Sequence, residues 1–71
     1  MRLMVNGEPK EMEEGVTVAL LFTSLEIDPT YRAVAVNAQV VPRKNYSITV
    51  LKEGDRVEII QAVGGGTGED P

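Results

Sequence analysis

Apolar and polar positions alternate at the start, Met1-Arg2-Leu3-Met4-Val5, so the chain opens with a strand whose Leu3 and Val5 share one face. Asn6-Gly7 follows, the pair best suited to a two-residue type I′ hairpin turn because both residues tolerate positive φ. Residues 8–12 return as a second strand. Pro9 cannot donate a ladder hydrogen bond, which places that strand at a sheet edge. After the break at Glu13-Glu14-Gly15, Val18, Leu21, Phe22 and Leu25 fall at i, i+3, i+4 and i+7, the apolar stripe of one amphipathic helix. Thr17 is its expected N-cap, and Val16 with Leu21 takes the two positions of a hydrophobic staple. Phe22, the single phenylalanine, is expected to anchor the core, and Asp28-Pro29 to end the helix.

Residues 32–37 contain the run Ala33-Val34-Ala35-Val36, which suits a central, well-covered strand. Asn37-Ala38-Gln39 reads as a turn and Val40-Val41-Pro42 as a short extended piece. Residues 46–51 give another short strand or an irregular extended segment, and Glu53-Gly54-Asp55 a turn. Residues 56–62 form the last strand, with Val57 and Ile59 on one face and Glu58 and Ile60 on the other. The order is β-β-α-β-β, in which first and last strands can pair in parallel at the sheet centre. A right-handed crossover then lets the helix cover one face. The expected class is α+β, a β-grasp (ubiquitin-like) fold: a mixed sheet of four to five strands with one main helix on one face. Residues 1–63 would form this domain and residues 64–71 a flexible tail.

Composition narrows the function. A chain of 71 residues buries only roughly 60% of its unfolded surface and has little room for a walled cavity. It has no cysteine, histidine or tryptophan, so no disulfide, thiolate or imidazole metal site, or Cys- or His-based nucleophile can be built; no catalytic and no metal-ligating residue is expected. Glu11, Glu13 and Glu14 lack the alternating oxygen ligands of a calcium loop and read as solvated charge. The net charge of −4 argues against nucleic acid as a partner. No apolar run reaches the roughly 20 residues of a membrane span, and no signal-peptide pattern is present, so a cytoplasmic location is expected. Arg43, Lys44 and Arg56 read as solvated surface, and Tyr31 and Tyr46 as amphipathic residues at the edge of the core. Alternation turns Met4 and Ile60 away from the helix. Together with Ala35 they would form an exposed apolar patch, a candidate docking surface.

After Ala62-Val63 come Gly64-Gly65-Gly66 and then Thr67-Gly68-Glu69-Asp70-Pro71. These residues bury little apolar surface, and a glycine chain is thin enough to thread a narrow channel. At roughly 3.3 Å per residue, the stretch from Val63 to Gly66 would carry a carboxylate about 10 Å from the domain. A flexible linker is the alternative reading of such an end.

Three stretches carry a specific resemblance: Ala33-Val34-Ala35-Val36-Asn37 with Val40-Val41-Pro42-Arg43 behind it, Glu53-Gly54-Asp55-Arg56-Val57-Glu58-Ile59, and Ala62-Val63-Gly64-Gly65-Gly66. Together they resemble the ThiS family of sulfur carriers in thiamine biosynthesis, from Met1 to Gly66. Molybdopterin-synthase small subunits share the fold and a Gly-Gly end, but have a proline-containing approach that is absent here. The resemblance implies that Gly66 is the site of adenylation and thiocarboxylate formation, with Gly64 and Gly65 threading a partner's active site. It also implies three partners: a ubiquitin-activating-like adenylyltransferase of the ThiF type, a thiazole synthase of the ThiG type, and a sulfur donor such as a cysteine desulfurase. The carrier binds no cofactor itself; ATP and magnesium belong to the activating enzyme. Family members normally end at the glycines, whereas here residues 67–71 follow: either a trimming protease removes them before activation, or the protein is not a competent carrier in this form. A carrier for another sulfur-containing metabolite or molybdopterin, and a non-reactive ubiquitin-like interaction module, are the alternative readings.

Overall fold

The computed structural model describes residues 1–61; the expected end of the domain at Val63 and the tail 64–71 lie outside them. Five strands and one α-helix follow in the order β1 (Arg2–Val5), β2 (Glu8–Glu11), α1 (Val18–Ser24), β3 (Arg32–Val36), β4 (Gln39–Val40) and β5 (Arg56–Gln61), with a 3-10 turn at Arg43–Asn45. They form one mixed sheet in the order β2-β1-β5-β3-β4. β1 and β5 are parallel, with Met4 abreast of Arg56 and Val5 of Val57. All other pairings are antiparallel. This is the β-grasp arrangement, and β2, the strand that contains Pro9, is an edge as its missing N–H requires.

Alternation along the strands decides what faces the helix. Leu3, Val5, Val34 and Val57 are buried against Val18, Leu21 and Phe22 of α1 in one core, which Val16, Tyr46 and Leu51 complete. Phe22 stacks on Tyr46 with ring centroids 5.5 Å apart. Tyr46 is therefore fully inside the core, whereas Tyr31 is 73% exposed and does not line its edge. Tyr31 sits at φ 64 in the connection after Pro29, a backbone bend that turns its side chain to solvent.

Residues 46–51 do not form the short strand that was one of their two expected conformations; only Val50 makes a single bridge, to Thr17. Their backbone serves the helix instead. The first N–H groups of a helix lack intrahelical partners. Val18 N–H donates to the Thr49 carbonyl at 3.0 Å and Ala19 N–H to the Tyr46 carbonyl at 2.9 Å. Leu20 N–H donates to Thr17 Oγ1 at 3.2 Å, so Thr17 is the N-cap the sequence indicates. Residues 46–51 thus wrap the helix start while Tyr46 and Leu51 fill the core beneath it.

The helix stops at Ser24, earlier than Asp28-Pro29 would require. Glu26 takes a left-handed φ of 57, Glu26 N–H reaches the Thr23 carbonyl at 3.1 Å and Ile27 N–H the Phe22 carbonyl at 2.9 Å. That pair of bonds is a Schellman motif with glutamate where glycine is usual. The next turn is made by Asp28, whose carboxylate accepts the Thr30 N–H at 2.9 Å. This bond holds the Asp28 carboxyl below the usual carboxylate range.

Two substitutions test this account. Glu26→Gly relieves a left-handed non-glycine residue and should raise stability by about 0.5–1 kcal/mol after the entropy cost of glycine, seen as a higher urea midpoint at unchanged slope. Phe22→Ala removes the ring that bridges helix and Tyr46 and should cost about 3–4 kcal/mol. A loss under about 1 kcal/mol in the same titration would show that Phe22 is not a core anchor.

Candidate functional site

β5 is the strand that leads into Ala62 and the glycines, so its placement sets where they begin. Its entrance is built around Asp55, a carboxylate only 8% exposed. Asp55 Oδ2 accepts the Lys52 N–H at 2.8 Å and Asp55 Oδ1 accepts Asn37 Nδ2 at 3.0 Å. Asn37 Oδ1 in turn accepts the Arg56 N–H at 3.0 Å, and Asn37 N–H donates to the Arg56 carbonyl at 2.7 Å. A buried carboxylate with fixed donors tolerates burial because its charge is solvated by them. On the other side of β5, Met4 N–H donates to the Asp55 carbonyl at 3.0 Å and Asn6 N–H to the Val57 carbonyl at 2.9 Å. Sequence reasoning reads Asn37 and Asp55 as turn residues only. Their joint role appears once the hairpin after β3 meets the start of β5.

The turns themselves follow local rules. Asn6 (φ 51) and Gly7 (φ 82) make the expected two-residue turn between β1 and β2. The turn between β3 and β4 is tighter than the three residues expected: Asn37 (φ 51) and Ala38 (φ 71) form it, and Gln39 already pairs with Val36.

The face of the sheet opposite α1 carries the candidate patch, with two corrections. Ile60 is 54% exposed there and lies abreast of Ala33. Ala35 is only 7% exposed, because Glu58 and Val40 flank it across the strands, so it backs the surface without presenting area. Met4 is half-buried and abreast of Arg56, four residues before Ile60 along β5. At about 3.3 Å per residue the two are roughly 13 Å apart along the sheet, with Glu58 between them. The three residues therefore do not form one patch. The apolar side of the face runs instead from Ile60 through Ala33 and Ala35 to Val40, which is 73% exposed. Val40 is missed by sequence alone because a two-residue strand has no alternation to read.

Nothing else described assembles catalytic chemistry. A groove of about 460 Å³ lies between the end of β2 and α1, lined by Glu11, Met12, Val16, Leu20 and Ser24 among others. Among the described residues no group of three acidic side chains is placed to hold a metal ion. Glu11 pairs at the surface with Arg2 at 3.2 Å, and Arg43 donates to the Pro29 carbonyl at 3.2 Å. Lys44 and Arg56 are exposed. Among the described residues no helix is long and apolar enough to cross a membrane. The predicted reactive residues Gly64, Gly65 and Gly66 lie outside the described residues.

Comparison with known proteins agrees with this architecture. A family model described as "ThiS family" matches residues 3–66. The chain belongs to the ThiS family. A crystal structure of a thiamine biosynthesis protein (ThiS) from Geobacter metallireducens superposes with a TM-score of 0.84 at 35% identity, covering 93% of this chain and all of that one. Sulfur carrier protein ThiS of Escherichia coli K12 is 29% identical over 66 residues, 93% of this chain and its own full length. Thiazole synthases of Paramagnetospirillum magneticum and Magnetococcus marinus are 34% and 39% identical over 94% and 93% of this chain. The chain spans about one fifth of their length, 21% and 20%.

The buried carboxylate at the entrance of β5 makes a direct prediction. Asp55→Ala leaves the Lys52 N–H and the Asn37 amide without their acceptor and should cost about 2–3 kcal/mol in urea unfolding. Asp55→Asn keeps an acceptor and should cost less. Equal stability of Asp55→Ala and the parent would show that these donors are not held by Asp55.

Proposed function

We propose that the chain is a protein co-substrate, a sulfur carrier for the thiazole of thiamine, with Gly66 as its working terminus. The observation that carries this reading is the extent of the family match, which runs to Gly66 and leaves out residues 67–71. The fold supports it: β5, the central strand, directly precedes Ala62 and the glycines in sequence, and Ile60 and Val40 are exposed on the face opposite the helix.

The chemistry required is activation of a poor electrophile. A Gly66 carboxylate oxygen attacks the α-phosphorus of ATP and expels pyrophosphate, giving an acyl-adenylate on the activating enzyme, which supplies the nucleotide and the magnesium. A donor sulfur then attacks the acyl carbon and AMP leaves. With a persulfide donor, the terminal sulfur forms the C–S bond and gives an acyl disulfide; a thiol then cleaves its S–S bond, which releases the thiocarboxylate and leaves a disulfide between the donor and that thiol. The absence of cysteine fits, because the sulfur replaces a terminal oxygen and needs no thiol on the carrier. A thiazole synthase is the proposed consumer. Two thiazole synthases contain a segment similar to this chain, which supports that pairing. The adenylyltransferase and the sulfur donor are the further proposed partners, in the cytoplasm.

Thr67 follows Gly66, so Gly66 becomes reactive only after cleavage of the Gly66–Thr67 bond. Removal of this segment also takes away the charges of Glu69 and Asp70 beside the reactive end. The same segment is the one feature that favours a second reading, a ubiquitin-like interaction module that is never loaded.

The chain ending at Gly66 is expected to form an acyl-adenylate with its cognate adenylyltransferase, ATP and magnesium, detected by intact mass, while the chain ending at Pro71 forms none. No adduct on either chain would favour the interaction module. Ile60→Lys should weaken binding to the same enzyme at least about fivefold, a typical loss for a contact residue truncated or charged at an interface, with unchanged circular dichroism. Unchanged binding would remove Ile60 from the docking face.

A further inference from the structure

β1 has only two residues abreast of β5, because the chain turns back at Asn6-Gly7. Its backbone ladder ends where Asn6 N–H donates to the Val57 carbonyl. The next N–H on that side of β5 belongs to Ile59, and the Asn6 side chain meets it: Ile59 N–H donates to Asn6 Oδ1 at 2.8 Å across 53 residues of sequence. The side-chain carbonyl stands in for the next backbone carbonyl of a strand that has already turned away. Asn6 can do this because its φ of 51 suits both the turn and the reach. The turn geometry alone would be satisfied by glycine, which has no such oxygen.

Ile59 is two residues before Gln61, the last residue of β5, and seven before Gly66. We propose that Asn6 is a positioning residue for delivery of Gly66: it pins the C-terminal half of β5 so that the chain beyond Gln61 always starts from the same place and direction. This rests on the carrier reading. The five residues from Gln61 to Gly66 reach at most about 17 Å when extended, so a partner docked on the sheet receives the terminus only from a fixed strand end. Every residue that frays from β5 must be ordered again as the terminus enters a partner's site, which opposes productive delivery without changing the docking surface.

The test compares the parent, Asn6→Gly and Asn6→Asp in the chain ending at Gly66, which keeps every described element. Asn6→Gly retains the turn and loses the acceptor, whereas Asn6→Asp retains both. Native-state hydrogen exchange should show the Ile59 amide about tenfold less protected in Asn6→Gly, with Val34 and Val57 unchanged. Pyrophosphate release by the cognate adenylyltransferase should show kcat lowered about threefold to tenfold, the range of one net hydrogen bond, at unchanged KM. Asn6→Asp should recover both readouts. Unchanged Ile59 protection, or unchanged kcat despite lost protection, would overturn the positioning role. A parent chain that is never adenylated would instead sink the carrier reading, a result separable from either.

Discussion

The parallel pairing of β1 with β5 joins the first and last strands at the centre of the sheet, and the other elements depend on it. Parallel neighbours cannot be linked by a tight turn, so a long connection must pass between them. In this chain that connection supplies the helix, the β3–β4 hairpin and the wrap over the helix start. Leu3, Val5 and Val57 bring the apolar side of this pair to the helix, and β3 completes the floor with Val34. Such contacts are distant in sequence, so the sheet centre closes only when nearly the whole chain is in place.

β5 lies between β1 and β3 and directly precedes Ala62 and the glycines in sequence. A central strand is held on both sides, and the structure adds side-chain holds where backbone pairing runs out. Asn37 and Asp55 fix its first residue and Asn6 its later part. Both asparagines sit at left-handed turn positions, so the residues that make the hairpins possible also grip the strand that leads to the glycines. The remaining surface divides by the same alternation. One face of the sheet is sealed by the helix, and the other leaves Ile60 and Val40 exposed.

Residues 46–51 illustrate where packing outweighs local pattern. Their apolar content suits a strand, yet two of their carbonyls accept N–H groups at the start of α1, and Tyr46 and Leu51 close the core. Donors at a helix start that is covered by other chain must be satisfied, and this need outweighs the weak strand propensity of a six-residue segment. The Phe22–Tyr46 stack holds the wrap in place. The early stop of α1 has a similar origin: the Schellman bonds at Glu26 turn the chain so that Ile27 packs against the core.

What the sequence determined by itself was whatever depends on local periodicity and local backbone rules. The Asn6-Gly7 turn, the Thr17 cap, the apolar stripe of α1, the edge position of Pro9 and the alternation of β5 all follow from neighbouring residues, and with them the β-grasp order. The Gly64-Gly65-Gly66 motif and its place after the last strand were equally legible, as composition and position alone reveal them. Tertiary structure decided the rest. Register between β1 and β5 separated Met4 from Ile60, cross-strand neighbours covered Ala35 and left Val40 exposed, and burial turned Asp55 from a turn residue into the hub of the β5 entrance. The long-range contacts behind these outcomes span 18 to 53 positions of chain, and no local pattern encodes a pairing at that distance.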